Sequence, residues 1–199
     1  MNPRFTLLST GVRLIVGLGN PEKEYGDTRH NVGAWFLDTL SQYEHASLKL
    51  EKKFRGATAQ FHFKSEIIFL LKPSTYMNES GLSVSAVARF YKLPPESILV
   101  VHDELDFEVG VIRLKQAGGH GGHNGLRDII AQLGSTNFYR LRIGIGHPGS
   151  RAQVTNYVLS APSIADRQKI MASFQKAEKV MPELLSGEFQ KAFHQLHGE

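Results

Sequence analysis

The sequence predicts an α/β fold, a single domain in which a twisted, mixed β-sheet is flanked by α-helices. Three observations predict it. Short apolar runs at residues 14–16, 67–71 and 98–101 read as buried strands. Between them lie longer stretches whose apolar residues recur at helical spacing. No composition shift, linker or internal repeat divides the 199 residues, a length that suits one domain with a sizeable core.

The elements follow in order. Residues 1–11 carry no periodicity and read as an N-terminal extension. The first strand, residues 14–16, is broken by Gly17, Gly19, Asn20 and Pro21, a glycine and Asn-Pro turn signal. Val32, Trp35, Phe36 and Leu40 then begin a helix that runs to about Ala46. Lys49, Lys52, Lys53 and Arg55 form a small basic cluster. Residues 57–63 alternate, with Ala57, Ala59, Phe61 and Phe63 on one side, as a half-buried strand does. The run at 67–71 is wholly apolar and suits a strand inside the sheet, and residues 73–78 leave the sheet again.

Leu82, Val84, Val87, Ala88 and Tyr91 mark a helix that Pro94-Pro95 ends. Residues 98–101 form a strand that runs into His102-Asp103, and residues 109–115 read as another. A segment with five glycines in eight residues, Gly118 to Gly125, leads into a short helix over 126–133. Residues 141–145 form a strand that stops at Gly146-His147-Pro148. Ser163 with Asp166 resembles a capping box opening a helix to about Lys179, and a last helix covers 182–194.

Composition excludes several chemistries. Hydrophobic residues at 41% and charged residues at 21% are ordinary for a globular chain. The chain has no cysteine, which removes disulfides, thiolate metal sites and a cysteine nucleophile. No apolar run approaches the ~20 residues that span a bilayer, and no signal-peptide core is present, so a cytoplasmic protein without membrane contact is expected. The net charge is +4, but residues 110–151 alone carry +5 from Arg113, Lys115, Arg127, Arg140, Arg142 and Arg151 against Asp128. That concentration fits a polyanionic partner such as a nucleic-acid backbone, or simply a solvated face.

Familiar catalytic signatures are missing. Residues 17–22 (GLGNPE) lack the third glycine of a dinucleotide fingerprint, and no Walker A sequence, G-x-S-x-G elbow or H-E-x-x-H pair occurs. What remains is a set of polar residues at strand ends and in the glycine loop: Asn20, His30, Asn78, Asp103 and Asn124. A histidine beside a carboxylate is a minimal general base, because the carboxylate sets the tautomer and favours the imidazolium. Amides add neutral donors and acceptors that can hold a carbonyl, a peptide backbone or a water.

Residues 14–33, LIVGLGNPEKEYGDTRHNVG, together with KPSTYMN at 72–78, VHDELD at 101–106, GGHGGHNG at 118–125 and LRIGIGHP at 141–148, resemble bacterial peptidyl-tRNA hydrolase. The resemblance covers nearly the whole chain from Val12 onward. Glu22 stands where that family usually has Gly, and Tyr76 where it often has Phe. The resemblance implies an enzyme with no cofactor and no metal. It would hydrolyse the ester between a peptide, or an N-blocked amino acid, and the terminal ribose of tRNA, freeing the tRNA for translation and rescuing stalled material. By matching position it implies His30 as the base, Asp103 as its partner and Asn20 as a contact for the peptide main chain. Asn78, Asn124 and His123 would hold substrate and water, and Tyr25 and Tyr76 would line the cleft at the 3′ end. Lys115 and Arg142, helped by Arg113, would clamp the 5′ phosphate of the acceptor stem. A monomer is expected.

Two other readings stay open on the sequence. One is a metal-dependent peptidase or amidase built on His30, His120, His123 and Asp103. The other is a non-enzymatic RNA-binding module using the basic span 110–151.

Overall fold

The computed structural model describes residues 11–198. The extension expected at residues 1–11 therefore lies outside the described residues, apart from Gly11, which packs so closely on the Leu185 carbonyl that it leaves no room for a Cβ. One seven-stranded sheet runs through the described residues, in the order β2-β3-β4-β1-β5-β7-β6. Its strands are β1 (Leu14–Gly17), β2 (Lys49–Glu51), β3 (Gly56–Phe63), β4 (Glu66–Pro73), β5 (Ile98–Glu104), β6 (Ile112–Gln116) and β7 (Tyr139–Gly144). The four inner strands, β4, β1, β5 and β7, run parallel, and β2, β3 and β6 are antiparallel additions at the two flanks. The mixed sheet flanked by helices is the fold expected from the apolar runs.

Those runs explain the middle of the sheet. Leu14, Ile15, Val16, Leu70, Leu71 and the apolar residues of β5 are fully buried, because helices cover both faces. On one face α2 (Val32–Tyr43), α6 (Ile164–Ser186) and α7 (Phe189–His197) pack over Ile15, Leu70, Leu99, Val101, Leu141 and Ile143. On the other, α3 (Ser80–Phe90) and α4 (Asn124–Leu133) pack over Leu14, Val16, Ile98 and Val100. Two short helices, α1 (Glu22–Tyr25) and α5 (Val154–Val158), complete the set.

Several boundaries differ from expectation. β2, α1 and α5 were not anticipated, since three to five residues are too few to show a period. β5 extends through His102 and Asp103 to Glu104, so the acidic residue sits on the strand itself. The helix opened by the Ser163 cap does not stop near Lys179, and no new helix starts at Pro182. Instead α6 runs through Pro182 and ends at Gly187, whose φ of 79° suits glycine. A proline inside a helix costs about 3 kcal/mol. Val180, Met181, Leu184 and Leu185 lie buried on either side of it, and full burial of such side chains is worth ~1.5–3 kcal/mol each.

Candidate active site

The site forms where β1, β4 and β5 end. Two glycines bring its parts together. A Cβ on Gly17 would lie 2.4 Å from the Gly33 carbonyl oxygen, and one on Gly33 would lie 2.2 Å from that of Val101. Only glycine at both positions lets the start of α2 settle directly on β1 and β5. The Leu18 N–H donates to the Val101 carbonyl at 3.0 Å, and the Ala34 N–H donates to the Leu18 carbonyl at 2.9 Å. The turn before α2, Arg29–Asn31, is thereby fixed over the end of β5. Arg29 anchors its outer side, stacking on Tyr157 at 4.1 Å and donating to the Ser160 hydroxyl at 2.7 Å.

His30 and Asp103, 73 positions apart in sequence, meet here. The Nδ1 of His30 lies 2.8 and 2.9 Å from the two carboxylate oxygens of Asp103. Both residues are buried, at 8% and 4% exposure. With its proton on Nδ1, His30 keeps Nε2 as an open acceptor. Burial lowers the His30 pKa, but the charge of Asp103 and the hydrogen bond to it outweigh that, so the net shift is upward from 6.5. Burial pushes Asp103 up, but the two facing imidazoles outweigh it and hold the carboxyl well below its usual range.

Asp103 serves a second ring. His123 Nε2 lies 3.0 Å from the same Oδ1. His123 also caps α4, its Nδ1 accepting from the Leu126 N–H at 3.3 Å. That contact requires the ring proton on Nε2, pointing at Asp103. His102 lies behind, 4.9 Å from His123 between ring centroids. Its Nδ1 donates to the Asp103 carbonyl at 2.6 Å. Burial, reinforced by His123, lowers the His102 pKa to about 3, so this ring is neutral packing that fixes the Asp103 backbone.

The amides fall around this core. Asn20 is gripped by Asn31: its N–H donates to Asn31 Oδ1 and its carbonyl accepts from Asn31 Nδ2, both at 2.9 Å. Asn20 Oδ1 accepts from the Met77 N–H at 2.7 Å, which leaves the Nδ2 donor available. Glu22, in place of the glycine of the motif, begins α1 after Pro21 with ordinary helical geometry, so no positive φ is needed there. Tyr25 and Tyr76 meet edge to face with centroids 6.5 Å apart. Asn78, on the turn Met77–Glu79, and Asn124, the first residue of α4, are both exposed. Asn124 Oδ1 accepts from Arg127 at 3.1 Å.

The basic span is less free than its charge suggests. Arg113, Lys115, Arg140 and Arg142 share the α3–α4 face of the β6–β7 pair, in the register Arg113↔Arg142 and Lys115↔Arg140. Arg140 is buried at 2% exposure and donates to the Gly118 and Gly119 carbonyls, so it holds the glycine loop rather than a ligand. Arg142 donates through Nε to Glu104 at 2.8 Å and lies over Phe107 at 4.4 Å. Arg113 donates to the Leu196 carbonyl at 3.2 Å. Lys115 is exposed.

Among the described residues, His30, Asp103 and His123 place one potential metal-ligand atom each within 4.8 Å of one another. These atoms meet directly at hydrogen-bond lengths of 2.8 to 3.0 Å, closer than the roughly 3.3–3.6 Å that separates ligand atoms arranged tetrahedrally at ~2.0–2.2 Å from zinc. His120, the fourth residue of the metal reading, is not in this group, and its Nδ1 accepts from the Gly122 N–H. Sequence reasoning passed over the supporting residues Asn31, His102, Glu104 and Arg140. Asn31, His102 and Glu104 carried a signal, since they adjoin His30 and Asp103 within their motifs; Arg140, counted only as charge, needed the sheet register.

Known proteins share the sequence and the fold of the chain as a whole. A family model described as peptidyl-tRNA hydrolase matches residues 14–199. A curated peptidyl-tRNA hydrolase from Coxiella burnetii is 58% identical over 96% of this chain and 100% of its own. One from Pseudomonas entomophila is 54% identical over 94% of this chain and 97% of its own. The crystal structure of peptidyl-tRNA hydrolase from Acinetobacter baumannii, 45% identical, superimposes with a TM-score of 0.91 over 94% of this chain and 95% of that one.

Proposed function

The chain belongs to the peptidyl-tRNA hydrolase family, enzymes whose substrate is peptidyl-tRNA, and from that premise we propose that His30 activates the water that cleaves the ester. The observation that carries the reading is the buried His30–Asp103 contact, which leaves Nε2 as the open face of the ring. In this mechanism Nε2 takes a proton from water. The hydroxide adds to the ester carbonyl carbon, and the tetrahedral intermediate collapses by expelling the ribose oxygen. That oxygen receives the proton from the imidazolium. Asp103 stabilises the cation while it exists. An ester releases a better leaving group than an amide, so neither a covalent intermediate nor a metal is required.

The amides take the neutral parts of the substrate. Asn20 Nδ2 reads a main-chain carbonyl of the peptide, with Asn31 and the Met77 N–H holding Asn20 in place. Asn78 and Asn124 hold substrate and water beside His123. Tyr25 and Tyr76 offer ring surface to the 3′ end. Lys115 and Arg142 clamp the 5′ phosphate with Arg113 nearby. Such contacts position any tRNA without reading its sequence. Among the described residues no helix is long and apolar enough to cross a membrane. A cytoplasmic monomer serving translation completes the proposal.

The direct test is turnover of N-acetyl-aminoacyl-tRNA by the unaltered protein and by His30→Ala. The variant is expected to lose ~10²–10⁴-fold in kcat, the usual contribution of a positioned general base, with its native fold and tRNA affinity kept. Near-normal turnover would remove His30 from the mechanism.

A further inference from the structure

Two of the cations assigned to the 5′ phosphate, Arg113 and Lys115, stand on β6, a strand of five residues. Among the described residues β6 pairs with the sheet on one side only, through β7. Arg113 and Lys115 are two positions apart and so share a face. The register sets Arg113 opposite Arg142 and Lys115 opposite Arg140. Like charges directly opposite each other repel, so the cations that would suit a phosphate also push β6 away from β7.

The last turn of α7 holds the other edge of the strand. The Leu114 N–H, between the two cations, donates to His197 Nε2 at 3.0 Å. One residue earlier in each element, Arg113 donates to the Leu196 carbonyl at 3.2 Å, a cation at a helix C-terminus, where the dipole favours it. The helix itself is fixed to the sheet. Phe189 stacks on Tyr139 of β7 with centroids 4.1 Å apart, and Ala192 and Leu196 are buried. Phe193 meets the His197 ring edge to face at 5.5 Å. Burial, and then the charges of Arg113 and Arg142, lower the His197 pKa from 6.5. The ring is therefore neutral at pH 7 and its Nε2 can accept.

We propose that His197 is a positioning residue of the phosphate clamp, holding the backbone between Arg113 and Lys115 so that both cations stand in place before the tRNA arrives. The inference rests on the clamp reading above and deepens it. His197 acts through the strand and not on the RNA. The Leu114 N–H belongs to the peptide group that joins Arg113 to Leu114, and Lys115 is the next residue along. Fixing that backbone beforehand removes an ordering cost that binding would otherwise meet. The contribution therefore belongs to affinity for the phosphate and not to the chemical step.

The experiment uses the full chain and two forms of N-acetyl-aminoacyl-tRNA, with and without the 5′ phosphate. His197→Phe keeps a ring against Phe193 and loses the acceptor. His197→Gln keeps an acceptor oxygen at similar reach. The position is exposed, and circular dichroism checks that each variant has the native fold. For His197→Phe, KM on the phosphorylated substrate is expected to rise about three- to tenfold, the scale of one net hydrogen bond, with kcat unchanged. On the substrate lacking the phosphate, His197→Phe and the unaltered protein should have equal KM. His197→Gln should recover most of the difference. An unmoved KM in His197→Phe would overturn the inference, as would an equal rise on both substrates, or a His197→Gln no better than His197→Phe. A KM of the unaltered protein that ignores the 5′ phosphate is a separate outcome. It would refute the clamp reading and this inference with it.

Discussion

Replacing Asp103 by Asn tests the centre of the site most sharply, because the carboxylate accepts from two rings at once. His30 Nδ1 lies within 2.9 Å of both oxygens, and His123 Nε2 lies 3.0 Å from one of them. An amide has one acceptor oxygen and one donor NH₂ in the same place. With the amide oxygen at the Oδ1 position both rings keep an acceptor, but the NH₂ at the Oδ2 position faces the His30 Nδ1–H, donor against donor. With the amide turned over, the NH₂ faces both ring N–H groups, and His123 can answer only by moving its proton to Nδ1, which surrenders the cap on the Leu126 N–H. Either way the substitution removes the charge and sets a donor against His30.

The expected loss in kcat is about 10²–10⁴-fold, the scale of general-base catalysis. The pH dependence carries the more specific signature. Net of burial, Asp103 raises the His30 pKa above 6.5, so kcat/KM in the unaltered protein should climb with pH through a value above 6.5. In Asp103→Asn that limb should move to lower pH. Stability moves the other way. The raised His30 pKa contributes stability below 6.5 that is lost as pH rises through the folded value. The depressed Asp103 pKa contributes stability above 3.8 that is lost as pH falls through its own folded value. The pair thus stabilises most between about 3.8 and 6.5, and the variant should lack that maximum. The assays are a pH–rate profile on N-acetyl-aminoacyl-tRNA and denaturant titrations across the same range. An acidic limb that stays in place, with the stability maximum intact, would refute the coupling of Asp103 to His30.

Other outcomes follow from the same geometry. Asn20→Ala should lose activity more than tRNA affinity if Asn20 takes the proposed peptide main-chain contact; equal losses measured by turnover and filter binding would make it a turn residue held by Asn31. Lys115→Ala with Arg142→Ala should raise KM and leave kcat unchanged, and should flatten the salt dependence of binding. If removing the 5′ phosphate weakens the double variant as much as the unaltered protein, the clamp lies elsewhere, and the basic cluster Lys49, Lys52, Lys53 and Arg55 is the next place to look. A transition-metal chelator that spares magnesium should leave turnover unaltered; inhibition reversed by added zinc would favour a metal held by His30, Asp103 and His123.

The sequence by itself determined the interior of the sheet and the identity of the chemical groups. Residues 14–16, 67–71 and 98–101 are apolar without a break, and such runs are stable only where both faces are covered. The motifs around Asn20, His30, Asp103 and Asn124 were legible because they sit at strand ends, where local glycine and turn signals are strong. Local pattern gave no warning of β2, which pairs with β3 although Leu50 stands exposed, or of the passage of α6 through Pro182, where packing overrides propensity. Charge was read least well. Arg140 and Arg142 looked like surface cations, yet one is buried under the glycine loop and the other is tied to Glu104, 38 positions earlier. Likewise the sharing of Asp103 between His30 and His123, and the gathering of Glu22, Asp38 and Lys72, depend on contacts across 20 to 73 positions. Hydrophobic period is a property of neighbours along the chain and survives in the sequence. Ion pairing and the setting of a tautomer are properties of neighbours in space, and only the folded sheet decides them.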